Sequence, residues 1–164
     1  MKTAFFLILF CLNTASTFAS ATYGFFYTNA NPVVHPNDSA PWEYGINSRN
    51  ITLDEGNKKN IIFNEPGLYE ITYFVNGFNI SDYISFELQL NGTTLPGTSY
   101  GALVQPNYNA PPLATFTGMA LVRVVADYSV LQLVYTGNFP TELFSANQAA
   151  KANGASILIK KIDS

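Results

Sequence analysis

The chain has 164 residues, of which 48% are hydrophobic, 15% aromatic and only 12% charged, with a net charge of −3. That length suits one hydrophobic core and is short for two. Eight basic residues against eleven acidic ones, with no basic stripe, lack the clustered cations that neutralise phosphates, so nucleic acid is not expected as a partner.

In chain order, Met1-Lys2 and an apolar core from Ala4 to Leu12 lead to Ala19-Ser20-Ala21, a small-x-small sequence of the kind signal peptidase cuts. The expectation is a signal peptide over residues 1–21 and a secreted product, extracellular or at a cell surface. The apolar core is too short for a bilayer that needs about 20 residues, and none of that length recurs, so no membrane span is expected. Cys11 follows Ile8-Leu9-Phe10, bulkier than a lipoprotein cleavage site usually allows. With the leader removed no cysteine remains, and with it go disulfides, a thiol nucleophile and thiolate metal sites. Lys2 leaves too, so seven basic residues face eleven acidic ones. Residues 22–164 are expected to form one domain held by packing.

An aromatic strand, Thr22 to Thr28, opens that domain. From Asn29 to Asn50 the prolines at 32, 36 and 41 among Asn, Asp and Ser predict a long loop with at most short edge strands. Ile51-Thr52-Leu53 is a short strand, Asp54 to Asn60 a polar turn, and Ile61-Ile62-Phe63 another strand. At Pro66-Gly67 a tight turn is expected, with Gly67 accepting a positive φ. Tyr69, Ile71, Tyr73 and Val75 then alternate on one face of a strand, and Phe86, Leu88 and Leu90 on a face of the next; each strand is expected to end at an Asn-Gly pair, at 76-77 and 91-92. Thr93 to Val104 reads as an irregular strand kinked at Pro96-Gly97. Gln105 to Pro112 is a loop tip, Leu113 to Val125 a long strand, Asp127-Tyr128 a turn, and Ser129 to Tyr135 a strand. Thr141 to Ala150 fits a helical turn or an Asn-rich loop equally well. Ala155 to Ile162 closes the chain. Antiparallel strands with turns every ten to fifteen residues form a sandwich or barrel.

In this order, Gly67-Leu68-Tyr69-Glu70-Ile71-Thr72-Tyr73 resembles the central strand signature of the complement component one q and tumour necrosis factor-like globular heads. Ile61 stands where that family usually has Phe, and Ile71 replaces the middle aromatic. Asp127 to Leu133 resembles the next signature, and Gly154 to Ile159 the last strand. Leu88 to Thr98, an alternating strand ending in Asn-Gly with Pro-Gly-Thr shortly after, is most similar to the C-terminal domain of bacterial spore-surface collagen-like glycoproteins. The resemblance spans most of residues 22–162 and implies an all-β, antiparallel jelly-roll sandwich of about ten strands, assembled as a homotrimer. The collagen stalk such heads cap is absent, and the loop from Asn29 to Asn50 matches no family pattern.

A thin sandwich cannot bury every aromatic of the Phe25-Phe26-Tyr27 run and the Leu113–Val125 strand, so the surplus either crowds a monomer core or forms an interface. Joined to the resemblance, this makes Phe25, Tyr27, Tyr73 and Phe116 the expected trimer-interface residues.

Catalytic constellations are scarce. The one histidine, His35, sits in a breaker-rich loop and reads as exposed, not as part of a triad, and a cupin-type metal site needs several. Asp54, Glu55, Glu65, Glu70 and Glu87 lie in polar turns or alternate outward, so no carboxylate pair is set up for glycoside hydrolysis. Calcium would call on Asp82 or Asp127, but no acidic ligand cluster is visible. No catalytic residue, cofactor or metal is assigned, and the chain is expected not to be an enzyme. Trp42, Tyr44, Tyr100 and Tyr108 are expected in loops, where rings stack on sugars, with Asn107 and Asn109 for hydroxyls; a Trp after a Pro more often anchors its loop. Sequons stand at Asn37, Asn50, Asn79 and Asn91. The expectation is a secreted, non-enzymatic homotrimer whose loops bind an extracellular protein or polysaccharide. The alternative is a lectin-like or structural coat protein.

Overall fold

The computed structural model describes residues 22–78, 83–104, 113–144 and 153–163. These residues form thirteen strands and no helix. One sheet holds β1 (Tyr23–Thr28), β2 (Val33–Val34), β3 (Tyr44–Asn47), β6 (Gly67–Phe78), β10 (Leu113–Val124), β12 (Thr141–Leu143) and β13 (Ala155–Lys161). The other holds β4 (Ile51–Leu53), β5 (Ile61–Phe63), β7 (Tyr83–Leu90), β8 (Thr93–Thr94), β9 (Tyr100–Leu103) and β11 (Ser129–Tyr135). Every pairing is antiparallel. In the first sheet the order runs β3-β1-β13-β6-β10, with β12 and β2 continuing beside the far end of β6. In the second it runs β4-β5-β11-β7, with β8 and β9 both on the far side of β7. This is an antiparallel sandwich, as the strand pattern predicts, in the jelly-roll form that the resemblance implies, with thirteen strands among the described residues where about ten were expected.

Between the sheets, period-two alternation supplies the core. β6 sends Tyr69, Ile71, Tyr73 and Val75 inward, β13 sends Ile157 and Ile159, and β7 and β11 answer with Phe86, Leu88, Leu131 and Leu133, all fully buried. Phe86 lies 5.1 Å from Tyr135, ring to ring, and Phe63 lies 4.5 Å from Tyr69. Offset pairs of this kind add to simple burial.

Three local expectations are corrected. Gly67 does not turn at positive φ; it begins β6 opposite Val124, where a Cβ would stand 2.4 Å from Lys161 Cε. Asn76-Gly77 is not a turn either. β6 runs through it to Phe78 because β10 pairs along its whole length, and Asn76 fills the gap between two neighbours, donating its N–H to Gly154 O and its Nδ2 to Phe144 O. Thr141–Leu143, placed in a helical turn or a loop, is strand β12, recruited by Phe78 and Gly77. By contrast Asn91 (φ 52°) and Gly92 (φ 74°) do form a two-residue hairpin turn, since both central residues of that turn need positive φ.

Candidate functional site

The two outward faces of the sandwich differ in chemistry. On the second sheet Gln132 stands opposite Gln89, and Gln89 opposite Thr94. Gln89 Nε2 and Thr94 Oγ1 both donate to Glu87 Oε1, at 3.0 and 2.7 Å, while Gln132 Nε2 donates separately to Asn60 Oδ1 at 2.8 Å. Val134, opposite Glu87, is covered by a bridge from Ser39, while Ile62 beside Val130 and Tyr83 beside Leu103 are further apolar pairs of this face. The centre of this face is polar and hydrogen-bonded within itself.

On the first sheet the registers set the outward side chains in rows. One row reads Ile46, Phe25, Leu158, Thr72, Met119; a second reads Tyr44, Tyr27, Ser156, Phe74, Thr117. Tyr27 stacks on Tyr44 at 5.3 Å and leans on Phe25 at 5.6 Å, a cross-strand aromatic cluster in the open. Exposure reaches 49% at Leu158, 60% at Met119, 64% at Ile46 and 67% at Leu121. A third row, Tyr23, Lys160, Glu70, Leu121, brings the charges to one rim. An apolar patch with a polar rim, spread over five strands, is the composition of an interaction surface.

β10 forms the edge of this sheet, and its far side meets the β8–β9 connection. There a groove of about 600 Å³ runs between Leu95–Thr98 and Met119–Arg123. The Tyr100 hydroxyl crosses to donate to Met119 O at 3.1 Å, blunting the strand edge at one point.

Of the four residues expected at an interface, Phe25 and Tyr27 lie on this apolar face. Tyr73 and Phe116 do not. Tyr73 is fully buried, its hydroxyl donating to Thr98 O at 2.7 Å and Phe86 O at 3.2 Å. Phe116 pairs with the inward Val75 and turns its ring to Phe86 at 6.3 Å. The β10 sequence is apolar on both parities, so alternation alone assigns no side; its register against β6 does. Leu158, Ile46, Phe74, Met119 and Leu121 share this face without having been expected there. Leu158 was readable, since it interrupts the inward pair Ile157 and Ile159.

The ring candidates for ligand loops are also redistributed. Trp42 is fully buried, as an anchor, with its backbone N–H donated to Lys58 O at 2.9 Å. Tyr44 is on β3 and Tyr100 on β9, strands and not loops; Tyr100 meets Tyr73 edge-on at 6.0 Å. Tyr108 falls outside the described residues, as do Asn107, Asn109, Asn79 and Asp82. His35 is exposed past β2. Among the described residues no three His, Cys, Asp or Glu side chains converge on a metal position, and no helix is long and apolar enough to cross a membrane.

No family model matches the sequence, and no curated protein is significantly similar to it. A solved crystal structure of murine APRIL, a jelly roll of the tumour necrosis factor family, is similar in fold: TM-score 0.61 over 87% of this chain and 100% of that one, at 7% identity. The architecture is therefore a tumour necrosis factor-like jelly roll. At that identity the likeness speaks for the fold alone.

Proposed function

We propose that this chain is a secreted, non-enzymatic binding protein that assembles as a homotrimer through the outward face of its first sheet. One observation carries the reading: Phe25, Tyr27, Tyr44, Ile46, Leu158 and Met119 share one continuous apolar face across neighbouring strands, while the centre of the opposite face is a polar strip of Gln132, Gln89, Glu87 and Thr94. At ~25 cal/mol per Å² of apolar surface, leaving such a face in water is costly, and a second copy removes that cost. Closed symmetry limits growth, and three copies rather than two follow from the resemblance to complement component one q and tumour necrosis factor-like heads. With the first sheet committed to assembly, the loops and edges remain for an extracellular protein or polysaccharide. Size-exclusion chromatography with light scattering at micromolar concentration tests the assembly. Three chains per particle is the expected result; a monomer would sink it.

A further inference from the structure

In a two-sheet sandwich the strand faces turned toward the partner sheet are apolar, and β1, β6 and β13 obey this with Phe26, Ile71 and Ile157. β3 inverts it. Tyr44 and Ile46 point outward, while Glu43, Gly45 and Asn47 line a cleft of about 370 Å³ at the sandwich mouth. Thr52 and Leu53 of β4, with Glu55 and Lys58 of the turn after it, form the opposite wall, and Phe26 closes the base. A Cβ on Gly45 would stand 2.5 Å from Phe26 Cδ1, so glycine is the residue that fits over this ring.

The walls are fixed before any ligand arrives. Glu43 Oε2 accepts the N–H groups of Asn29 and Ala30, both at 3.0 Å. Asn47 is held through its Nδ2 on Ser48 O at 3.1 Å. Two carboxylates, one ammonium and an amide give donors and acceptors of mixed charge, a poor match for a lone cation or a lone anion. They suit an uncharged ligand with several hydroxyls, and Leu53 with the bare Gly45 backbone offers a strip for its C–H edge. The volume stands at the lower end of the ~300–1,000 Å³ of ligand pockets, enough for one ring.

We propose that this cleft binds a single pyranose unit of a neutral saccharide, which deepens the binding half of the proposed function and is independent of the assembly half. The test is an amide NMR titration of the labelled protein with neutral hexoses, N-acetylhexosamines and their short oligomers. Saturable shifts at Gly45, Asn47, Thr52 and Lys58 are expected, with Asn47→Ala and Glu55→Gln each weakening binding about tenfold, the loss of one good hydrogen bond. Both residues are exposed, so an unchanged remaining spectrum separates lost binding from lost folding. Saturation by monosaccharides supports a terminal unit, and saturation by oligomers only supports a unit within a chain. The inference is overturned if no sugar saturates these amides up to ~50 mM, or if shifts fall on Tyr27 and Tyr44 instead. Light scattering on the same samples reports assembly separately, so a monomer with a working cleft would overturn the trimer and leave this inference standing.

Discussion

The Tyr73 ring is fixed at both ends, by its strand and by its hydroxyl on Thr98 O and Phe86 O. Gly118, opposite it on β10, is what makes room: a Cβ there would stand 2.2 Å from Tyr73 Cζ. Since the ring has nowhere to go, Gly118→Ala is expected to cost about 1–3 kcal/mol as overpacking, read as a lower urea midpoint at unchanged slope. Tyr69 reports on the same core by titration. Burial, and then the negative charges of Glu65 and Asp163, push its phenol up to about 12, and burial moves Tyr73 in the same direction. A raised phenol pKa keeps its full contribution below the unfolded value near 10 and loses it as pH rises toward the folded value. Stability should therefore fall between pH ~10 and ~12, with Tyr69 carrying part of the fall. Tyr69→Phe should flatten that slope in urea denaturation; equal slopes in both proteins would refute the assignment.

Among the elements, the β7–β8 hairpin depends on two adjacent residues at positive φ. Asn91 also uses its side chain, accepting the Val130 N–H at 2.8 Å and so tying the turn to β11. Nothing crowds a Cβ at Gly92, so Gly92→Ala tests conformation alone, with an expected loss of about 1–2 kcal/mol. A similar loss at the crowded Gly118 would have a different cause, and only Gly92→Asn, which tolerates that region, should recover most of it. The segment after β2 is held to the β4–β5 turn by Lys59 Nζ on Asp38, at 2.6 and 2.7 Å. Burial raises the Asp38 pKa, but the Lys59 hydrogen bond, the Ser39 N–H and the charges of Lys59 and His35 outweigh it and hold the carboxyl below its usual 3.8. A lowered carboxyl pKa stabilises above the unfolded value and ceases to do so as pH falls through the folded one. The pair is well exposed, so its worth is at most about 1 kcal/mol. Asp38→Asn should lower Tm slightly at pH 7 and not at all near pH 2.

For the whole molecule, the asymmetry of the two outward faces makes a sharp prediction. Leu158 is half exposed at the centre of the apolar rows. Leu158→Glu should leave the circular dichroism spectrum unchanged and abolish assembly in light scattering, because burying an unpaired carboxylate in an interface costs several kcal/mol. Gln132→Glu, on the polar strip of the other face, serves as the control and should leave assembly intact. If both variants keep the parent's particle size, the apolar face is not where copies meet.

Local chemistry was enough to settle the central strands. Tyr69 to Val75 and Phe86 to Leu88 alternate strictly because one face of each must leave water, and that constraint is written residue by residue. The Asn91-Gly92 turn was legible for the same reason, since positive φ at two adjacent positions calls for those residues. Sidedness needed the third dimension. β10 is apolar on both parities, so only its pairing with β6 sends Phe116 inward and Met119 outward. Asn76-Gly77 carries the same dipeptide as a true turn, yet pairing along the full length of β10 holds it in strand. Trp42, an aromatic in a proline-rich segment, is consistent with a sugar platform or a core anchor until its neighbours are known, and burial made it the anchor. The cleft under β3 was hidden for a related reason: Glu43, Gly45 and Asn47 look like an ordinary solvent face until the sheet order shows that they face the partner sheet. Alternation states which residues share a side, and only the packing of one sheet on the other states which side is water.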